Sequence, residues 1–137
     1  VVALAVLMPI VASMGGNAGT QTLTVVVRAL ATRDLTAANI WRVIRRELLV
    51  GFLNGMGFAV IMAGVATLWF GQPMIGAVIA MAMVLTLVAA ALGGILIPLL
   101  LERLKIDPAL AAGPFVTTIT DVVGFFTFLG IAALVLL

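Results

Sequence analysis

The sequence contains no cysteine and no histidine. These absences exclude disulfides, thiolate and imidazole metal sites, cysteine nucleophiles and Ser-His-Asp triads, and they leave oxygen as the only ligand chemistry. Charge is nearly as scarce: 9% of the 137 residues are Asp, Glu, Lys or Arg, against 65% hydrophobic. With a mean hydropathy of +1.40, the chain lies far above the roughly 45–50% apolar content of soluble domains, so water is not its main solvent. The net charge is +2 and the pI is near 10.6. The basic residues nevertheless fall in two short loops, the pattern of a membrane protein's positive-inside loops rather than of a nucleic-acid-binding face. Nucleic acid is therefore not expected as a partner. The chain opens inside an apolar run, Val1 to Ala12, with no basic region and cleavage site, and it reads as a piece of something longer rather than a signal peptide.

What is present in quantity is long apolar segments. Crossing a hydrocarbon core of about 30 Å takes roughly 20 helical residues. Four spans are expected, at about 1–30, 48–70, 74–101 and 110–137, giving an all-α, polytopic helical bundle. The first is long enough but interrupted by a polar, Gly-rich stretch from Ser13 to Thr24, which predicts a broken helix. Arg33, Arg42, Arg45 and Arg46 place the loop 31–47 in the cytoplasm, and Arg103 and Lys105 do the same for the loop 102–109. Trp69, Phe70 and the short Gly71-Gln72-Pro73 suit the external interface. With both chain ends then external, a cytoplasmic domain upstream requires one more spanning helix before Val1. Within 31–47, Thr36 as N-cap and Trp41 as anchor suggest a short interfacial helix, whose Arg42, Arg45 and Arg46 either set topology or touch lipid phosphates.

Small residues mark where helices meet. Gly51, Gly55, Ala59 and Ala63 recur every fourth position, and Gly76 and Ala80 repeat the pattern, allowing close backbone approach. Asn54 on that stripe is placed to hydrogen-bond between helices. Gly93-Gly94 ahead of Pro98 predicts a kink.

Eleven of the twelve charged residues sit at segment ends or in the two loop stretches, and Asp121 is the exception. An intramembrane carboxylate costs about 2.5–3.5 kcal/mol on insertion scales, so it belongs in a watery cavity or beside a partner. At spacings of three and four, Gly113, Thr117, Thr120, Gly124 and Thr127 form one narrow polar face, with Thr118 and Asp121 at its edge. The bland alternative is a protonated Asp121 hydrogen-bonded to a hydroxyl on another helix. The second constellation is Pro9 to Thr22, in which Gly15, Gly16 and Gly19 either break a helix beside a water-filled path or serve helix packing.

Carboxylate, carbonyl, amide and hydroxyl oxygens favour Mg²⁺, Ca²⁺ or Mn²⁺. One Asp per chain is too little for a dehydrated Ca²⁺ cage of about 6–8 oxygens, whereas Mg²⁺ is commonly held through its own waters. Two chains about a two-fold axis would present two Asp121 carboxylates to one divalent ion, which points to a homodimeric pore. Moving a solute, not catalysis, is the expected role. An intramembrane aspartyl protease would need a second aspartate from a partner chain, and a passive anchor would have no use for Asp121.

The strings PIVASMGGNAGTQT (Pro9 to Thr22) and DPALAAGPFVTTITDVVG (Asp107 to Gly124) resemble the transmembrane domain of the MgtE magnesium channels, and the likeness runs through almost the whole chain. The resemblance implies that cytoplasmic regulatory domains and a first spanning helix precede this region. It further implies a homodimer in which Asp121, with backbone carbonyls near Thr117, holds hydrated Mg²⁺, with Mn²⁺ or Co²⁺ as substitutes. Gly15, Gly16, Asn17, Thr20, Thr118, Thr120 and Gly124 would line the pore. Asp107 would lie at a cytoplasmic-mouth cation site, although a helix N-cap ahead of Pro108 is an equal reading. The implied activity is passage of Mg²⁺ down its electrochemical gradient, with exchange against Na⁺ or H⁺ as the alternative. The location is a bacterial inner membrane, in contact with membrane lipids.

Overall fold

The structure, a computed structural model, describes residues 2–32 and 38–135. It consists of four long helices, α1 (Val2–Ala31), α2 (Ile40–Phe70), α3 (Pro73–Arg103) and α4 (Pro108–Val135). No strand occurs among the described residues. At 1.5 Å per residue the 28 to 31 residues of each helix extend roughly 42–46 Å, enough to cross a bilayer with its interfaces. α2, α3 and residues 112–135 of α4 are apolar enough to do so. α1 has the length, but the Ser13–Thr24 stretch makes it more polar.

The helices alternate in direction. Gly51 and Gly55 of α2 meet Leu87 and Val84 of α3, while Gly76 near the start of α3 meets Ala63 and Thr67 near the end of α2. Gly19 of α1 lies against Val116 of α4, and Gly124 lies against Ala12. α1 and α3 run parallel, with Gly15 beside Thr86 and Thr22 beside Gly94. α3 packs on all three other helices, and α1 barely touches α2. α3 is apolar on every side, as a central helix must be, and it buries Val78, Ile79, Ala82, Met83, Leu87 and Ile95. Leu7 and Val11 of α1, Ala59 and Ala66 of α2, and Phe128 and Ala132 of α4 join the main core.

Without a hydrophobic drive between helices in lipid, close packing must supply the attraction. On α2, Gly51, Gly55 and Ala59 are buried as their four-residue spacing predicts, whereas Ala63 is half-buried and Asn54 is exposed. A Cβ on Gly51 would sit 3.1 Å from the Leu87 carbonyl oxygen, and one on Gly55 would sit 3.0 Å from the Val84 Cα. Away from these contacts α2 exposes Val60, Ile61, Leu68 and Trp69, side chains suited to lipid.

Two expectations need correction. α1 is one unbroken helix rather than a broken one. Its glycines are accounted for by packing: a Cβ on Gly15 would come within 2.7 Å of the Thr86 Cγ2, and one on Gly19 within 2.7 Å of the Val116 Cγ1. An intact helix also satisfies its own backbone polar groups where water is excluded. Secondly, Trp41, Arg42, Arg45 and Arg46 belong to the first turns of α2 and form no separate interfacial helix. No Gly or Pro separates residue 40 from Leu48, so nothing interrupts the hydrogen-bond ladder. The Thr36 cap lies outside the described residues. α3 continues through Gly93, Gly94 and Pro98 as helix.

The connections are tight. Gly71 closes α2 in the left-handed region (φ 70), its N–H donating to the Thr67 carbonyl at 2.8 Å, and Pro73 opens α3. α3 ends with Ile106 N–H donating to Leu101 O (2.8 Å) and Lys105 N–H to Glu102 O (3.0 Å). This is the Schellman pattern, with Lys105 at φ 63 where glycine is usual.

Candidate ion pathway along the α1–α4 seam

α4 buries Ala112, Val116, Thr120, Gly124, Phe128 and Ala132, one residue every fourth position. This line faces α1: a Cβ on Gly15 would lie 3.4 Å from the Thr120 Cβ, and one on Gly16 would lie 3.9 Å from the Thr120 Oγ1. Ile119, one residue back, reaches Gly93 on α3. Each helical residue turns about 100°, so Asp121 points to the opposite flank, away from α3. There it is exposed, with exposed Thr117 and Thr118 one turn below it. Asp121 is the fourteenth residue of the 28 in α4, closer to the helix midpoint than its place in the expected 110–137 span suggested.

On the α1 side of the seam, Gly16 is half-buried, while Ser13, Asn17 and Thr20 are exposed. A Cβ on Gly16 would meet only Thr120, so Gly16 borders the seam, and Ser13, Asn17 and Thr20 follow it onto the exposed side of α1. The result is an open polar surface divided between two helices. Of the residues expected to line a pore, Gly16, Asn17, Thr20, Thr118, Thr117 and Asp121 fall on or beside this surface. Gly15, Thr120 and Gly124 are buried within the seam and hold the two helices together.

Hydrogen bonding gives this surface its polarity. Thr117 Oγ1 donates to the carbonyls of Gly113 and Pro114, both at 3.1 Å. Thr118 Oγ1 donates to Pro114 O at 2.7 Å, and Thr120 Oγ1 to Thr117 O at 3.0 Å. With their protons turned inward, Thr117 and Thr118 offer lone pairs outward. Together with the Asp121 carboxylate they form an acceptor surface, suited to a cation or to the water protons of its hydration shell and unsuited to an anion. Among the described residues no group of three or more carboxylates is assembled.

Asp107 immediately precedes Pro108, the first residue of α4, and it is exposed. Its position is that of an N-cap, with Pro at N1. Fourteen residues separate it from Asp121, about 21 Å along the axis, so the two carboxylates cannot share an ion.

The sequence reading overlooked one polar residue. Thr86 is completely buried, its methyl group lies against Gly15 and Gly124, and its Oγ1 has no hydrogen-bond partner among the described residues. It is the one polar side chain between Pro73 and Leu101, and that isolation was the available signal.

Fold and site together define an integral membrane helical domain with an exposed acidic side chain midway along one of its long helices. The chain matches the model of MgtE, divalent cation transporter, over residues 8–131, and it belongs to that family. It is 41% identical over 96% of its length to the magnesium transporter MgtE of Bacillus subtilis. Its identity to the protein of that name from Thermus thermophilus is 40%, over 99% of this chain, and to that of Enterococcus faecalis 39%, over 96%. The chain covers 29%, 30% and 29% of those relatives, under a third of their length.

Proposed function

We propose that this chain is the ion-conducting domain of a Mg²⁺ channel that works as a homodimer. The observation that carries the reading is Asp121: a carboxylate midway along a spanning helix, exposed on an open polar flank, in a helix that contains no basic residue. The magnesium-transporter names of the relatives support the choice of ion. One flank is half a pore. A second copy about a two-fold axis supplies the other wall and a second Asp121, so that two negative charges meet a doubly charged hydrated ion without a buried counter-residue.

In this mechanism the Thr117 and Thr118 oxygens and the exposed α1 side chains accept hydrogen bonds from the ion's water shell, and the paired carboxylates supply the attraction. The membrane potential drives passage, at about 4.6 kcal/mol per 100 mV for a +2 ion. The polypeptide that relatives carry beyond this region supplies cytoplasmic gating, acting near Asp107. The basic ends of the helices face the cytoplasm of a bacterial inner membrane. No residue set for bond chemistry is required, and the domain is not an enzyme.

Asp121→Asn in the intact protein, reconstituted in vesicles, tests this directly. Mg²⁺ flux is expected to fall at least about 100-fold, some 2.7 kcal/mol of lost stabilisation, with the melting temperature unchanged. Undiminished flux and selectivity would remove the proposal. Flux that persists in the unaltered protein only while a Na⁺ or H⁺ gradient is present would establish coupled exchange instead.

A further inference from the structure

Arg42, Arg45 and Arg46 occupy one face of the first turns of α2, at spacings of three and four. The same face continues into the membrane as Leu49 and Phe52. Between α2 and α3 it forms an open groove of about 760 Å³, lined by the three arginines, Leu48, Leu49, Phe52 and Val88. The groove is thus cationic at one end and apolar along the rest. Phe52 lies ten residues beyond Arg42, about 15 Å along the helix. Trp41, 66% exposed beside the arginines, marks this end as the interface, where amphipathic rings settle.

The charge is unbalanced within the groove. No carboxylate among the described residues lines it. Glu47 turns instead to a separate cavity of about 240 Å³ between α1, α2 and α3, which it lines with Gln21, Asn54 and Arg46. Arg46 borders both spaces, so Arg42 and Arg45 are the two cations facing the groove alone. Guanidinium groups present forked donors that match phosphate oxygens, and a basic pocket at the cytoplasmic end of spanning helices suits a phosphorylated head group.

We propose that this groove binds an anionic membrane phospholipid, taking a diphosphatidyl glycerolipid in preference to a lipid with one phosphate. Two phosphates meet Arg42 and Arg45, with Arg46 at their edge, and one acyl chain lies along Leu49, Phe52 and Val88. A soluble phosphate would satisfy the arginines and leave the trough unfilled, so the lipid is the better match.

The test is lipid binding to the intact purified protein, measured by native mass spectrometry across mixtures of phosphatidylcholine, phosphatidylglycerol and diphosphatidylglycerol. Diphosphatidylglycerol is expected to bind at least roughly tenfold more tightly than phosphatidylglycerol, and more tightly still than phosphatidylcholine; Arg42→Gln with Arg45→Gln is expected to abolish that preference, and equal binding of the two anionic lipids by the unaltered protein would overturn the proposal. Val88→Trp, which fills the trough and leaves the guanidinium groups in place, is expected to weaken diphosphatidylglycerol binding too. The proposal is overturned if the double arginine variant keeps the preference. It is equally overturned if Val88→Trp binds as tightly as the unaltered protein, which would mean loose attraction to any anionic surface, or if millimolar inorganic pyrophosphate displaces the lipid completely. None of these readouts depends on Mg²⁺ flux, so the result stands apart from the channel mechanism.

Discussion

The α2–α3 pair and the α1–α4 pair are built by the same packing rule and display opposite surfaces. In both, small residues every fourth position bring backbones together: Gly51, Gly55 and Ala59 in the first, and Gly15, Gly19, Thr120 and Gly124 in the second. Beside the first seam α2 presents Phe52, Val60, Ile61 and Leu68, side chains at ease in hydrocarbon. Beside the second stand Ser13, Asn17, Thr20, Thr117 and Asp121, which hydrocarbon would penalise. Packing therefore does not distinguish the scaffold from the proposed pathway. The distinction lies in the exposed residues that each helix turns away from its packed line.

The comparison breaks most severely where backbone meets backbone. A side chain on Gly55 would press on the Val84 Cα at 3.0 Å, and a main-chain atom cannot swing aside. Gly55→Leu is expected to cost about 3 kcal/mol or more and to abolish a folded peak in size-exclusion chromatography. A variant that folds and melts normally would show that α2 is not held to α3 through this contact. Asp121→Asn should have the converse phenotype, normal folding without flux, and the two variants together separate scaffold from pathway.

Thr86 joins the two halves, since it lies on the central helix with its methyl group between Gly15 and Gly124. Its buried hydroxyl has no partner among the described residues. An unpaired buried polar group costs about 1–3 kcal/mol, and valine has nearly the same shape. Thr86→Val is thus expected to stabilise the domain by about 1 kcal/mol, seen as a higher melting temperature. A loss of stability would show that the hydroxyl is paired and that this junction is more polar than described.

Much of this organisation was legible from residue order. Apolar length located four helices, the spacing of Gly51, Gly55 and Ala59 identified the packed face of α2, and scarcity of charge isolated Asp121. The resemblance of the two motifs to MgtE was also sound, and the family match covers residues 8–131. What escaped was the partner of each local signal. Gly15, Gly16 and Gly19 are compatible with either a helix break or a close crossing, and only the positions of Val116, Thr120 and Thr86 decide for the crossing. Arg42, Arg45 and Arg46 suggested a short interfacial helix separate from the span that begins at Leu48, yet nothing between Ile40 and Leu48 stops one helix from including both. Thr120 and Gly124, which the resemblance put beside a pore, are buried against Gly15 and Ala12 of α1. Burial depends on the neighbouring helix, and periodicity within one helix does not reveal which neighbour that is.

The smallest expected effect lies where the central helix hands over to α4. Lys105 holds a left-handed backbone, φ 63, in a turn whose two reversed hydrogen bonds end α3. For a residue with a Cβ this conformation costs about 1–2 kcal/mol. Glycine adopts it freely but loses more chain entropy on folding, roughly 0.5–1 kcal/mol. Lys105→Gly is therefore expected to stabilise the domain by about 0.5 kcal/mol, a rise of a degree or two in a thermal melt. Because Lys105 is exposed at the basic end, far from Asp121, the variant should leave flux unaltered. If it destabilised instead, the lysine would have to contribute more through its charge at that end than its backbone costs, and the α3–α4 turn would count with Arg42 and Arg45 among the elements the membrane surface holds in place.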